Sequence, residues 1–599
     1  MTQRRTIRVA ESLLVGALIA AALTGWVRSI ASNSPTYDEC GHVVSGIYHW
    51  QTGRFDSYAV NPPLPRMVQA ALLAGRPIDA DGVRDGSSTE DWWRREWPLA
   101  EHVLRTHGNG FLDWLPWARS MNLLFLAVGY GCCVAILNRC LATAEDGQRA
   151  AGRVALTALY FGDPLVIGYA GFAMPETASL AAGPLATLLL LRDWDRPTVR
   201  SAVAAGIGAG LAVAVKTTWL VGLPLWAAAV AAARLGRRSG ADRSLTQAAA
   251  QAIGAIAAFL ATAWFVLCLS YGFDGVGVPL ADYRFVAEPL SGETVRQLQQ
   301  SAWGQCPVPL PAWFVKGVDL QKFDFLPRFS SYFAGTHRWW GWREYYLTVA
   351  FYRWPIAWLL ALLPAAAVAV VRFRGAAMLL WITPLALALF VSLNESFTNH
   401  FRYLVPAYPF LHLLVARLVG QLRRRLRWIA TGTLLVGFVQ TLTWAPNQIA
   451  YTNHVDDLLP REFVYGINPV DSTIDYGQNL LALRNWLDRH PEVELDGAVL
   501  SHFPTLLDAL ELSVPPPPVN RTTRDLLMGS PDSVRWYAFD IRGLYDLNAR
   551  RYDAFLEIEP AATIHDSIFV YRVPPLPAVA SDHPRPFVIE DPTHPDPYR

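Results

Sequence analysis

Eleven apolar stretches, near residues 10–27, 119–138, 151–171, 176–191, 201–216, 217–233, 249–271, 346–371, 375–393, 402–419 and 428–445, constrain this chain more than any other feature. A helix needs about 20 mostly apolar residues to cross a hydrocarbon core of about 30 Å, and a bilayer tolerates no open sheet edge. The pattern predicts an all-α polytopic membrane domain of about eleven transmembrane helices. Composition agrees, because 52% of the 599 residues are hydrophobic and only 17% are charged. The first stretch follows Arg4, Arg5 and Arg8 as a signal peptide would, but no small-residue cleavage site closes it, so it reads as a retained anchor.

Eleven spans put the two termini on opposite sides. Basic residues resist translocation, and the arginines of the short connections fall on the side of the N-terminus: Arg139, Arg149 and Arg153, then Arg192, Arg196 and Arg200, then Arg234, Arg237, Arg238 and Arg243, then Arg372 and Arg374, and RRRLR at 423–427. The N-terminus is therefore expected in the cytoplasm. The loops 28–118 and 272–345 and everything after Trp444 are expected outside, across the plasma membrane if the source is bacterial.

The expected division is a transmembrane domain over 1–446, a small soluble extracytoplasmic α/β domain over 447–573 and a proline-rich disordered tail over 574–599. GQNLLALRNWLDRH, with Leu480, Leu483 and Leu487 at helical spacing, predicts an amphipathic helix opened at Gly477 by Ser472 or Asp475. GAVLSHF, RWYAFDI and SIFVYRV predict strands. Of six cysteines only Cys40 and Cys306 fall in outside loops, where an oxidising compartment would join them if they lay close. Metal-binding cysteine and histidine spacings, Walker loops and dinucleotide fingerprints are all missing, so nucleotide chemistry has no support and no nucleic-acid partner is expected.

Chemistry concentrates in SPTYDECGHVVSGIYHW, residues 34–50, just outside the first span. Ser34-Pro35 reads as a helix start. On that helix Asp38, His42, Ser45 and His49 share a face. An acidic first turn would also suit the helix dipole and nothing more. A second acid, Glu176, follows Pro175 at the lip of another span, where a carboxylate is costly to desolvate. Asp38, Glu39 and Glu176 on one membrane face could hold a cation or act as a general base. If a divalent cation is bound, Asp38 and Glu176 are its candidate ligands.

TYDECGHVVSGIYHWQTGRFDSYAVNPPLPRM resembles the first outside loop of the GT-C membrane glycosyltransferases related to dolichyl-phosphate-mannose protein mannosyltransferases. The shared features are Asp38-Glu39, His42, Gly46-Ile47-Tyr48, Thr52-Gly53-Arg54-Phe55 and Pro62-Pro63-Leu64. The likeness continues in order through DPLVIGYAGFAMPE, GLAVAVKTTWLVGLP, GWREYYLTVAFYRWP, HFRYLVPAYPF, DSTIDYGQNLLALRNWL and SIFVYRV. Departures are Asn61 and Tyr169 where histidine is common, Glu176 and Asn479 where Asp is usual, and Tyr476 where Trp is usual.

The resemblance implies an inverting glycosyltransferase. Its donor would be a polyprenyl-phosphate sugar, mannose or related, and its acceptor a hydroxyl on protein, lipid or glycan. Such a donor carries its own leaving group, so no further cofactor is required. Asp38 would be the base, with Glu39 and Glu176 positioning it, the donor sugar or a cation, and His42, Asn61 and Tyr169 in support. Arg402, in an Arg-Tyr-x-x-Pro pattern, is the first candidate for the leaving phosphate, followed by Lys216, Arg353 and Arg343; each could instead snorkel to membrane lipid headgroups. The competing readings are a polyprenyl-linked sugar transporter or flippase, and an inactive relative serving envelope assembly.

Overall fold

The computed structural model describes residues 2–79, 94–236, 244–326, 331–333, 336–338, 340–393, 400–453, 473–500, 504–516, 533–544, 552, 555–556 and 558–574. The expected tail beyond 574, Ser472 and most of NESFTNH lie outside them.

The chain begins with a 31-residue helix, α1 (Thr2–Ser32). The first loop folds into α2 (Tyr37–Thr52), α3 (Leu64–Gln69), α4 (Glu96–His107) and α5 (Leu115–Ser120), and leads into α6 (Asn122–Cys140). Next come α7 (Asp146–Gly162), α8 (Pro164–Ala170), α9 (Pro175–Asp195), α10 (Val199–Val215), α11 (Gly222–Leu235) and α12 (Leu245–Ser270). The second long loop carries α13 (Glu293–Gln300), α14 (Ala312–Asp324) and a hairpin of β1 (Ser331–Phe333) and β2 (Thr336–Arg338). It is followed by α15 (Tyr345–Tyr352), α16 (Ile356–Arg372), α17 (Leu379–Leu393), α18 (Tyr408–Gln421) and α19 (Arg424–Leu442).

All eleven apolar stretches lie mainly on these helices, but fewer than eleven of the helical segments reach full membrane-crossing length and apolarity. Among the described residues six helical segments are long and apolar enough to cross a membrane, and a seventh if α7 and α8, bent by 52°, count as one. This makes the chain a multi-pass membrane protein. Helices α10 and α16 have only 17 residues each, and α9 and α19 carry charged and hydroxyl side chains along their length. The bend at α7/α8 has a local cause: Pro164 supplies no amide, and Asp163 is extended and caps α8 by accepting from Leu165 N at 2.9 Å and Val166 N at 3.3 Å. Helix α10 packs on α9 and α12, and α7 packs on α1 and α18. Large apolar side chains such as Leu13, Ile253 and Leu363 stay exposed on the outside, as lipid contact requires.

The C-terminal segment supplies α20 (Leu480–Arg489) and a four-stranded mixed sheet of β3 (Leu495–Val499), β4 (Arg535–Asp540), β5 (Ala562–Ile564) and β6 (Ile568–Val573), in the order β3-β4-β6-β5. β3 runs parallel to β4, and β6 is antiparallel to both β4 and β5. This segment shares one apolar cluster with the first loop, in which Val43, Val44 and Ile47 of α2 join Leu99 and Val103 of α4, Leu483 of α20 and Val570 of β6. Gly46 allows α2 its closest approach to α3, since a Cβ there would come within 2.4 Å of the Arg66 carbonyl oxygen.

Two expected helix starts are corrected by this packing. Helix α2 begins after Thr36, not at Ser34-Pro35. Ser34 instead serves α20: its hydroxyl donates to the Gly477 carbonyl at 2.8 Å and accepts from Leu480 N at 2.9 Å. Asp475 accepts from Gly477 N at 2.7 Å, and Gly477 takes a φ of +89°, which glycine adopts without strain. Cys40 and Cys306 do not pair, because one is buried in the first-loop core and the other is exposed.

Candidate active site

Four of the singled-out side chains converge where α1 ends. Asp38 lies in the first turn of α2, Glu176 at the start of α9, Lys216 in the extended residue after α10, and Arg402 in the turn before α18. Arg402 Nη1 is 2.7 Å from Asp38 Oδ2, and its Nε is 3.8 Å from Glu176 Oε1. Lys216 Nζ donates to Glu176 Oε1 at 2.9 Å. Glu176 Oε2 and Arg402 Nε are buried without a hydrogen-bond partner. Exposure separates the four: the side chains of Asp38 and Arg402 are 11% and 13% exposed, against 2% and 1% for Glu176 and Lys216. Asp38 and Arg402 are thus the more exposed members of the cluster, whereas Lys216 and Glu176 form a buried pair behind them.

Tyr476 completes the cluster, its hydroxyl donating to Asp38 Oδ2. Its backbone is clamped to the start of α2 by a bond from Tyr37 N to Tyr476 O at 3.1 Å. Burial alone would raise the Asp38 pKa. The Arg402 guanidinium and the hydrogen bonds from Tyr476 and Arg402 outweigh it and hold the carboxyl well below its ordinary range. His42, one turn along α2, stacks on Tyr58 with centroids 4.6 Å apart. Burial and the nearby Arg66 push its pKa well down, so it is neutral.

The other candidates lie elsewhere. Glu39 points to Arg119, which grips it with Nε to Oε1 at 2.8 Å and Nη2 to Oε2 at 2.7 Å; Ala173 N adds a bond at 2.7 Å. Arg119 also donates to the carbonyls of Ile30, Asn33 and Ser34, so the pair locks the α1–α2 corner to α5. Breaking such a fully buried pair costs about 3–5 kcal/mol. Asn61 has a φ of 63°, and its carbonyl accepts from Arg66 Nη2 at 2.6 Å. Arg353 is fully buried and donates to the Ile449 carbonyl in the neighbourhood of Tyr169 and Asp163. Arg343 is exposed in the turn before α15. The Asp163 carboxylate accepts from Trp354 Nε1 at 2.6 Å and meets His412 Nε2 at 2.8 Å, an interior tie between α8, α18 and the end of α15.

The donor set does not suit a divalent cation. Asp38 and Glu176 are already bridged by a guanidinium, an ammonium sits on Glu176, and no third acidic, histidine or cysteine ligand joins them among the described residues.

Beside the cations lies a cavity of about 350 Å³ lined by Thr218, Val221, Phe325, Tyr346, Phe390 and Tyr403 among others. The Tyr403 ring lies 5.4 Å from Lys216 Nζ and 5.8 Å from the Arg402 guanidinium carbon. The C-terminal end of α14 is tied down beside this cavity: Thr217 donates to Gln321, Asp324 pairs with Arg94 at 2.6 Å, and the Phe325 ring packs 5.3 Å from Tyr403.

Asp475 is pushed up to about 7 by burial and by the neighbouring Asp540 carboxylate. The folded state thus binds a proton that the unfolded chain releases near 4, and stability falls as pH rises from about 4 through 7. Asp475→Asn should therefore raise Tm more at pH 8 than at pH 5. Paired thermal unfolding scans check this, and an equal shift at both pH values would refute it.

No family model matches the chain, and no curated protein matches it. At low identity it is structurally similar to glycosyltransferases of the GT-C class. One is ArnT from Cupriavidus metallidurans bound to undecaprenyl phosphate, at 13% identity over 93% of this chain and 97% of that one, with a TM-score of 0.43. ArnT from the same organism in the apo state gives 14%, 94%, 98% and 0.45. The oligosaccharyltransferase of Archaeoglobus fulgidus in complex with Zn and sulfate gives 13%, 88%, 68% and 0.35.

Proposed function

We propose that this protein is a membrane glycosyltransferase that moves a sugar, mannose or a related hexose, from a polyprenyl-phosphate donor to a hydroxyl acceptor with inversion. The observation that carries the reading is the Arg402 guanidinium, partly exposed, bonded to Asp38 and set beside an apolar cavity. A lipid phosphate needs a cation next to an apolar groove, and an acceptor hydroxyl needs a carboxylate next to that cation.

In this reading the first isoprenyl units occupy the cavity by Tyr346 and Phe390 while the donor phosphate takes Arg402. Asp38 accepts the acceptor's hydroxyl proton, the acceptor oxygen forms the new bond to the anomeric carbon, and the bond from that carbon to the phosphate oxygen breaks. Its electron pair leaves with polyprenyl phosphate, whose added charge Arg402 stabilises. Glu176, paired with Lys216, lies behind the guanidinium at 3.8 Å from its Nε, and Tyr476 orients Asp38. The coupling has a physical advantage: a carboxylate held by Arg402 and Tyr476 is a weak base, and a phosphate that draws the guanidinium away strengthens it only once the donor is in place. The Asp38 face is extracytoplasmic on this account, because the arginine-rich connections lie at the other end.

The test uses the full chain in vesicles with a labelled polyprenyl-phosphate sugar and a pool of hydroxyl acceptors. Transfer should release free polyprenyl phosphate in step with glycosylated product. Movement of the labelled lipid between leaflets without release would identify a transporter and overturn the reading.

A further inference from the structure

A second polar cavity, of about 400 Å³, lies between α1 and α7 at the end of α1 remote from Asp38, lined by Arg8, Glu11, Ser12, Asp146, Arg149 and Arg153. Arg8 and Ile30 are 22 residues apart in α1, about 33 Å at 1.5 Å per residue, so this cavity and Asp38 are separated by about one hydrocarbon thickness.

Its charges are unevenly matched. Glu11 takes both arms of Arg153, which also donates to Asn138 at 2.9 Å. Asp146 accepts from Arg149 Nη2 at 2.6 Å and pairs with Arg4 Nε at 3.0 Å. Both carboxylates are thus matched, while Arg8 makes no ion pair among the described residues. Arg427 adds positive charge nearby: its Nη1 is buried without a partner and lies 4.0 Å from where a Cβ on Gly147 would stand, at the start of α7. Next to Arg8 and Ser12 on α1, Val9 and Leu13 are 53% and 70% exposed, surface for acyl chains to cover. Excess guanidinium at headgroup depth beside an apolar helix face matches a phosphate diester attached to a lipid.

We propose that this cavity is a headgroup site for an anionic phospholipid of the leaflet opposite Asp38, with the phosphate on Arg8 and Arg149 and the acyl chains along Val9 and Leu13. The site is independent of the transfer reaction. A lipid bound there braces the α1–α7 contact from the far side of the membrane.

The full chain, delipidated in detergent, is titrated with phosphatidylglycerol, phosphatidylcholine or inorganic phosphate, and bound lipid is counted by native mass spectrometry alongside Tm. Phosphatidylglycerol should be retained and should raise Tm, more than phosphatidylcholine does. Arg8→Gln should weaken its retention about fivefold, Ser12→Glu should act in the same direction, and Arg5→Gln, outside the cavity, should change nothing. Equal retention by wild type and both cavity variants would overturn the proposal, as would equal retention of phosphatidylcholine. A Tm rise with inorganic phosphate as large as with the lipid would make this a small-anion site and overturn the lipid assignment. Elution volume and lipid-free Tm show whether each variant is folded.

Discussion

Asp38→Asn is expected to lower turnover by roughly 10²–10⁴-fold, the usual contribution of a positioned general base. The amide keeps the shape and can still accept from Tyr476, so folding should survive, but it cannot take the acceptor's proton. Donor affinity should hold or rise, because Arg402, freed from its 2.7 Å contact with Asp38, becomes more available to the phosphate. A fall in kcat with an unchanged or lowered KM for the lipid donor is therefore the expected signature. Single-turnover transfer and equilibrium binding of a labelled donor measure the two separately. Near-normal turnover would place the base elsewhere, and lost donor binding would make Asp38 a structural partner of Arg402.

The lengths of the apolar runs made the membrane architecture legible, since each lies mainly on helix, but among the described residues only six or seven segments are long and apolar enough to be candidate spans. An apolar run does not reveal that its helix stops at 17 residues, as α10 and α16 do, or that the helix within 151–171 breaks by 52° between α7 and α8. Local chemistry singled out Asp38 and Glu176, because charges at the lips of apolar segments are costly to place there without purpose, and the family resemblance added Lys216 and Arg402. Glu39 shows the limit of adjacency. Neighbours on a helix point about 100° apart, so Asp38 faces Arg402 while Glu39 turns inward to Arg119. Nothing around Arg119 announced that contact. Tyr476 was equally hidden, since 438 positions separate it from Asp38 and only the folding of the C-terminal segment onto α2 unites them.

Arg402→Gln should be nearly as damaging as loss of the base, about 10²–10³-fold in kcat/KM, since charge-assisted stabilisation of a developing anion in a partly desolvated site is worth that much. Arg402→Lys should restore only part, because an ammonium cannot reach Asp38 and a phosphate with the geometry of a planar fork. The pH profile separates this role from simple misfolding. In the wild type Arg402 is foremost among the groups that hold the Asp38 carboxyl below its ordinary range, against the upward push of burial. The active form is the carboxylate, so activity is present above that pKa and lost as pH falls through it; the wild-type acid limb lies below the ordinary carboxylate range. With Arg402 gone, burial acts on Asp38 with less opposition, its pKa rises, and the acid limb of the residual activity moves to higher pH. Asp38→Asn should have no such limb. Profiles of kcat/KM from acid to neutral pH, which report the groups of the free enzyme, for the wild type, Arg402→Gln and Arg402→Lys test the whole arrangement. An unmoved limb in Arg402→Gln would mean that the guanidinium does not set the state of Asp38, and the account of a base released by donor binding would fall with it.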